Sequence, residues 1–122
     1  MPVLDVQLVL RDAAAMQDGL AGAIANAAAM IFGSAPGHVW VRLSVLAAEC
    51  YAENDVSTTD LQQPVFVTVL HALLPEGPAL RAEAQALSSA VAEVIGCSSE
   101  LVHIEYAPQG LGRVAFGGRL VQ

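Results

Sequence analysis

The chain contains no lysine. Schiff-base chemistry from an internal amine is therefore excluded, and the only aliphatic amine is the N-terminus. Cations are scarce altogether. Five arginines (Arg11, Arg42, Arg81, Arg113 and Arg119) face twelve acidic residues, for a formal net charge of -7 over 122 residues. That balance lacks the basic footprint a nucleic-acid partner requires. Any anionic substrate must be held by one of those arginines or by backbone N–H groups. The two cysteines, Cys50 and Cys97, are far apart with no metal-ligand spacing. His38, His71 and His103 are scattered as well, so no structural metal site is expected. No uninterrupted apolar run reaches the roughly 18–20 residues of a membrane span. The alanine-rich stretch 13–32 is broken by Gln17, Asp18 and Asn26. The start is not basic, as a secretory signal would be, so a cytoplasmic location and no membrane partner are expected.

What the chain has in quantity is apolar surface. Its hydrophobic share is 55%, near the upper end for a soluble domain, and much of it is alanine. The length suits one domain, 1–122, with a modest core. An apolar excess in so small a domain points to surface buried between subunits.

The organising stretch is the start. Pro2 is followed at once by an apolar, β-branched run, and proline is tolerated at the first residue of a strand. Initiator methionine is normally removed before a small residue such as proline. The mature chain would then begin with a secondary amine at the mouth of a strand. Partial burial would draw that amine's pKa towards neutrality, where a general base works best.

The pattern from there is written twice. Asp12 is a candidate helix N-cap. Met16, Leu20, Ile24, Ala27 and Ile31 keep helical spacing, and Gly33 suits a helix C-cap. A turn over 34–37 leads into an alternating strand over 38–45. There Val39, Val41, Leu43 and Val45 face one way, and His38, Trp40, Arg42 and Ser44 the other. Residues 47–63 read as a loop or short hairpin. Pro64 then opens a second strand over 64–71. Leu80, Ala84, Leu87, Val91 and Val94 form a second helical stripe closed by Gly96, and a strand follows over 101–106. Corresponding positions lie 62 to 63 residues apart, as Pro2 to Pro64 and Gly33 to Gly96 show. The chain is thus an internal β-α-β duplication, 2–63 and 64–122. Right-handed crossovers make the paired strands within each unit parallel. The expected fold is α/β (α+β in some schemes), a four-stranded mixed sheet with two helices on one face. The other face carries Trp40, Arg42, His103 and Glu105. The glycine-rich tail after residue 110 reads as a turn with short strands.

These features together resemble the tautomerase superfamily, which includes 4-oxalocrotonate tautomerase and macrophage migration inhibitory factor. The carriers are Met1-Pro2 leading into a strand, the double β-α-β unit, Pro64 opening the second half and the glycine-rich tail. The resemblance implies a homotrimer with sites between subunits and no cofactor. It implies Pro2 as general base, moving a proton between the keto and enol forms of a small 2-oxo acid. In cytokine-like members the second-half strand carries a tyrosine and an asparagine that reach a neighbour's proline, and here those positions are His103 and Glu105. The pocket-walling aromatic near the C-terminus corresponds to Phe116, and the hydrophobic residue after the third strand to Leu73. The substrate-binding arginine of the short tautomerases is replaced by Trp40, with Arg42 two residues on at the same parity. Ser34 stands where cytokine-like members have a lysine. A carboxylate at Glu105 close to Pro2 would favour the protonated amine. That opens the alternative of hydratase or decarboxylase chemistry. A further alternative is a non-catalytic trimeric binding protein.

Overall fold

A computed structural model describes residues 1–57 and 59–122. The chain runs β1 (Val3–Leu10), α1 (Leu20–Phe32), β2 (Trp40–Ala47), β3 (Val65–Leu70), α2 (Gly77–Ile95), β4 (Val102–Tyr106), β5 (Ala115–Phe116) and β6 (Arg119–Leu120). The main sheet has the order β2-β1-β3-β4. β1 and β2 are parallel, as are β3 and β4, and β1 and β3 join the two units antiparallel. This is the duplicated β-α-β architecture expected from the repeat.

Strand alternation decides where the core lies. Leu4, Val6 and Leu8 of β1 share a face with Val69, Val67 and Val65, their respective partners on β3. That face is buried against Leu20, Ile24 and Ala28 of α1 and Leu87, Val91 and Ala92 of α2. The opposite face has no helix over it. Across its middle the register lines up Arg42, Asp5, Thr68 and Glu105, and beside them Ser44, Gln7, Phe66 and His103.

The first helix starts later than its apolar spacing implies. Asp12 does cap, but its Oδ1 accepts from Ala14 N at 3.0 Å and serves only a 3-10 turn over Ala13–Ala15. Met16 is extended and exposed rather than part of the buried stripe. The buried helical positions are Leu20, Ile24 and Ala28, a strict i, i+4 series. The second strand also begins two residues later, at Trp40, because residues 35–38 close a turn in which His38 N donates to Ala35 O at 3.1 Å. Gly37 is the third residue of that turn, with φ 79°. Proline followed by a positive-φ glycine is the signature of a type II turn. Residues 47–63 carry a 3-10 turn, Ala48–Cys50, and no strand beyond Ala47 among the described residues.

Candidate active site

Pro2 sits where its chemistry permits. It needs no N–H donor at a strand entrance, and its carbonyl accepts from Trp40 N at 3.1 Å, the first rung between β1 and β2. Pro2 is buried. Met1 folds beside it, with its amine donating to His38 O at 2.9 Å. Around Met1 a pocket of about 210 Å³ is lined by Gly37, His38, Trp40 and Phe116. The indole of Trp40 is held by its Nε1, which donates to Gly37 O at 3.1 Å. Phe116 meets the indole edge-on, at 4.7 Å between centroids and 77° between planes, a favoured aromatic geometry.

Phe116 reaches this position because the tail is stitched to the end of β3. Gly110 N donates to His71 O at 2.8 Å and Leu111 N to Ala72 O at 3.1 Å. A Cβ placed on Gly110 would meet the end of the Met1 side chain, Cε, at 2.5 Å and His71 O at 3.4 Å. The pocket is therefore assembled from the head of β1, the turn before β2 and the C-terminal hairpin.

Of the residues expected at the site, Phe116 lines the pocket with Met1, the residue directly ahead of Pro2. Leu73 lies in the loop after β3, at the same end of the sheet, with its side chain exposed. Arg42 is on the uncovered face, and its guanidinium is already engaged. Nε donates to Asp5 Oδ1 at 2.6 Å and Nη2 to Asp5 Oδ2 at 2.8 Å, a bidentate pair. The hydrogen bond and charge of Asp5 raise the Arg42 pKa. His103 and Glu105 are exposed on β4, with β3 between them and β1. Within one protomer they do not join the Pro2 pocket.

Sequence reasoning passed over His38 as a site residue and placed Trp40 only where the short tautomerases have a substrate-binding arginine. The signal was present. Parallel pairing of β1 with β2 puts Val3 opposite Trp40, so residues 37–40 must flank the first residues of the chain.

No protein-family model and no curated protein sequence matches this chain. Solved structures match it over nearly its whole length. Macrophage migration inhibitory factor from Oncomelania hupensis is 20% identical, with a TM-score of 0.73, covering 100% of this chain and 83% of that one. A wild-type fused 4-OT, a symmetric trimer, is 18% identical with a TM-score of 0.74, covering 98% and 94% respectively. Pt0534, inactivated by 2-oxo-3-pentynoate, is 15% identical with a TM-score of 0.75 over the same 98% and 94%. The chain has the tautomerase fold.

Within this tautomerase fold a second polar cluster lies at the same end of the sheet, on the helix side. Glu83 Oε2 accepts from the Tyr106 hydroxyl at 2.7 Å and pairs with His71 Nε2 at 2.8 Å. His71 also packs edge-on against Phe32 and stacks on Tyr106. Burial, then the bond to Glu83, pushes the Tyr106 phenol above its ordinary pKa. The cluster fixes the end of β3, whose His71 carbonyl holds Gly110. A larger cavity of about 350 Å³ opens at the far end of β1, among Val9, Arg11, Glu49, Tyr51 and Leu61. It is remote from the N-terminus, and its Arg11 is spent on Leu61 O at 2.6 Å. No helix is long and apolar enough to cross a membrane among the described residues, and no cluster of His, Cys, Asp or Glu there has the makings of a metal site.

Proposed function

We propose that this chain is a tautomerase-type isomerase that moves a proton between the keto and enol forms of a small 2-oxo acid. Pro2, freed by removal of Met1, is the general base, and the working unit is a homotrimer. One observation carries the reading: Met1 lines the pocket and directly precedes a buried Pro2. Excision of Met1 converts the Pro2 amide into a secondary amine on the pocket wall. Pro2 is buried, and burial disfavours the protonated amine and suits it to act as a base. Support for the substrate class comes from the fold neighbour inactivated by a 2-oxo acid, and support for the assembly from the trimeric one.

The test begins with intact mass, to establish that Met1 is gone, and then follows ketonisation of enolised 2-oxo acids. Leaving a residue attached ahead of Pro2 makes its nitrogen a non-basic amide. That form is expected to lose roughly 10²–10⁴ in rate, the usual worth of a positioned general base. Activity of the mature protein should fall as pH drops through the amine's pKa. Wild-type rates in the extended form end the proposal. Activity that falls instead as pH rises would make Pro2 a proton donor and turn attention to hydration or decarboxylation.

A further inference from the structure

We propose that Arg119 is the residue that binds the substrate carboxylate at the Pro2 pocket, an inference that rests on the function proposed above. A protein of net charge -7 that takes a 2-oxo acid needs a local cation, and the pocket wall itself supplies no arginine. The other arginines are disposed elsewhere. Arg11 is tied to Leu61 O at the far end of β1. Arg42 is chelated by Asp5. Arg81 belongs to α2, in the layer on the opposite face of the sheet.

The C-terminal hairpin singles out Arg119. β5 and β6 pair Phe116 with Arg119 and Ala115 with Leu120. Val121 N donates to Val114 O at 2.8 Å, which extends the same register by one rung. Directly opposed residues in an antiparallel pair project from one face. Val114, Phe116, Arg119 and Val121 therefore form one face, and Ala115 and Leu120 the other. Burial identifies the inward face: Val114, Phe116 and Val121 are half-buried, while Ala115 and Leu120 are exposed; Arg119, at the open end of the inward face, is itself exposed to solvent. Arg119 is the charged member of the inward face and the cross-strand partner of the phenylalanine that closes the pocket on Trp40. Opposed Cβ atoms lie about 4.5–5.5 Å apart, a distance an arginine side chain exceeds. Arg119 makes no salt bridge or side-chain hydrogen bond among the described residues, so its guanidinium fork is open to accept a carboxylate. Arg113 precedes the paired stretch and has the parity of the outward residue Ala115.

The chain's single tryptophan, Trp40, lines the pocket and serves as the reporter. Protein freed of Met1 is titrated with 2-oxohexanoate and, separately, with its methyl ester, following Trp40 fluorescence. The expected result is that Arg119→Ala weakens the acid at least tenfold and leaves the ester unchanged. Arg119→Lys should recover part of the loss, and Arg113→Ala should bind the acid as wild type does. Equal acid affinity in wild type and Arg119→Ala overturns the assignment. So does an equal loss in Arg113→Ala, which would mean a diffuse charge effect, and so does a wild type that responds to neither ligand. Binding is read without turnover. A failure here is therefore separable from a failure of Pro2 as base, which shows in the rate of the extended form while its acid binding is measured independently.

Discussion

At the scale of single residues, the cluster least visible in the sequence is the one that anchors the site from behind. Positions 71, 83 and 106 share no spacing, and His71 reads as one of three scattered histidines. Only the parallel pairing of β3 with β4, with α2 packed between them in sequence, brings Glu83 to both partners. Removing the Tyr106 hydroxyl leaves Glu83 Oε2 with His71 alone. Tyr106→Phe should therefore destabilise by about 1–2 kcal/mol, within the range for losing a partner of a partly buried acceptor. The pH dependence has a definite sign. Tyr106 has its pKa raised in the folded protein, so its contribution is complete below the ordinary tyrosine value of about 10 and is lost as pH rises through the higher folded value. Denaturant titrations from pH 7 to 11 should show stability falling on the alkaline side, and Tyr106→Phe should flatten that fall. An unchanged alkaline slope in the variant would assign it to other groups, of which Tyr51, raised by its bond to Glu53, is the first.

At the scale of elements, the two halves of the molecule separate stability from recognition. The two β-α-β units, the parallel pairs and the side of the sheet that the helices cover were all legible, because period-2 and period-3.6 patterns and a 62-residue repeat carry them; the order of the strands across the sheet was not. Element starts were less legible. Alanine after Asp12 fits a helix and a 3-10 turn equally well, and tertiary packing of Leu20 and Ile24 decides between them. Ile24 is fully buried, and Ile24→Ala should cost about 2–5 kcal/mol by transfer loss and cavity formation. In protein that remains folded, affinity for 2-oxohexanoate should be unchanged. The C-terminal hairpin should behave in the opposite way. Its turn residues Gly117 and Gly118 have φ of 57° and 82°, the two-residue geometry whose twist matches antiparallel strands and which favours glycine at both places. Alanine at both costs about 1–2 kcal/mol per residue in left-handed backbone. The hairpin contributes nothing to the buried core, so that strain is relieved by unseating the hairpin rather than by unfolding the protein. Gly117→Ala with Gly118→Ala should keep the cooperative thermal transition of the sheet and helices while weakening 2-oxohexanoate. Loss of the thermal transition would show that the hairpin is integral to the fold.

At the scale of the whole molecule, the uncovered sheet face is the feature a single chain leaves unexplained. It is neither apolar nor evenly solvated. The Arg42–Asp5 pair stands next to Thr68 and Glu105, and an aromatic row of Tyr51, Phe66 and His103 runs alongside. Alternation in the sequence announces the mixed character of this face, but it does not announce that Asp5 claims Arg42. That pairing is a matter of register between two strands thirty-seven residues apart, and it gives Arg42 a carboxylate partner within the chain. On an isolated chain the pair is solvated, and breaking it should change stability little. If subunits of the proposed homotrimer pack on this face, a charge left alone there is desolvated without a partner, which is costly. The two cases give different results in sedimentation equilibrium at moderate salt. Asp5→Ala, which strands the arginine, and Arg42→Ala, which strands the aspartate, should each shift the protein towards the mass of one chain. The exchange of both, Asp5→Arg with Arg42→Asp, keeps an opposite pair on adjacent strands and should recover assembly at least in part. Single variants that sediment like the wild type, at the mass of three chains, would place the subunit contacts away from this row. Wild-type protein that sediments as one chain would leave the sheet face uncovered and the homotrimer without support.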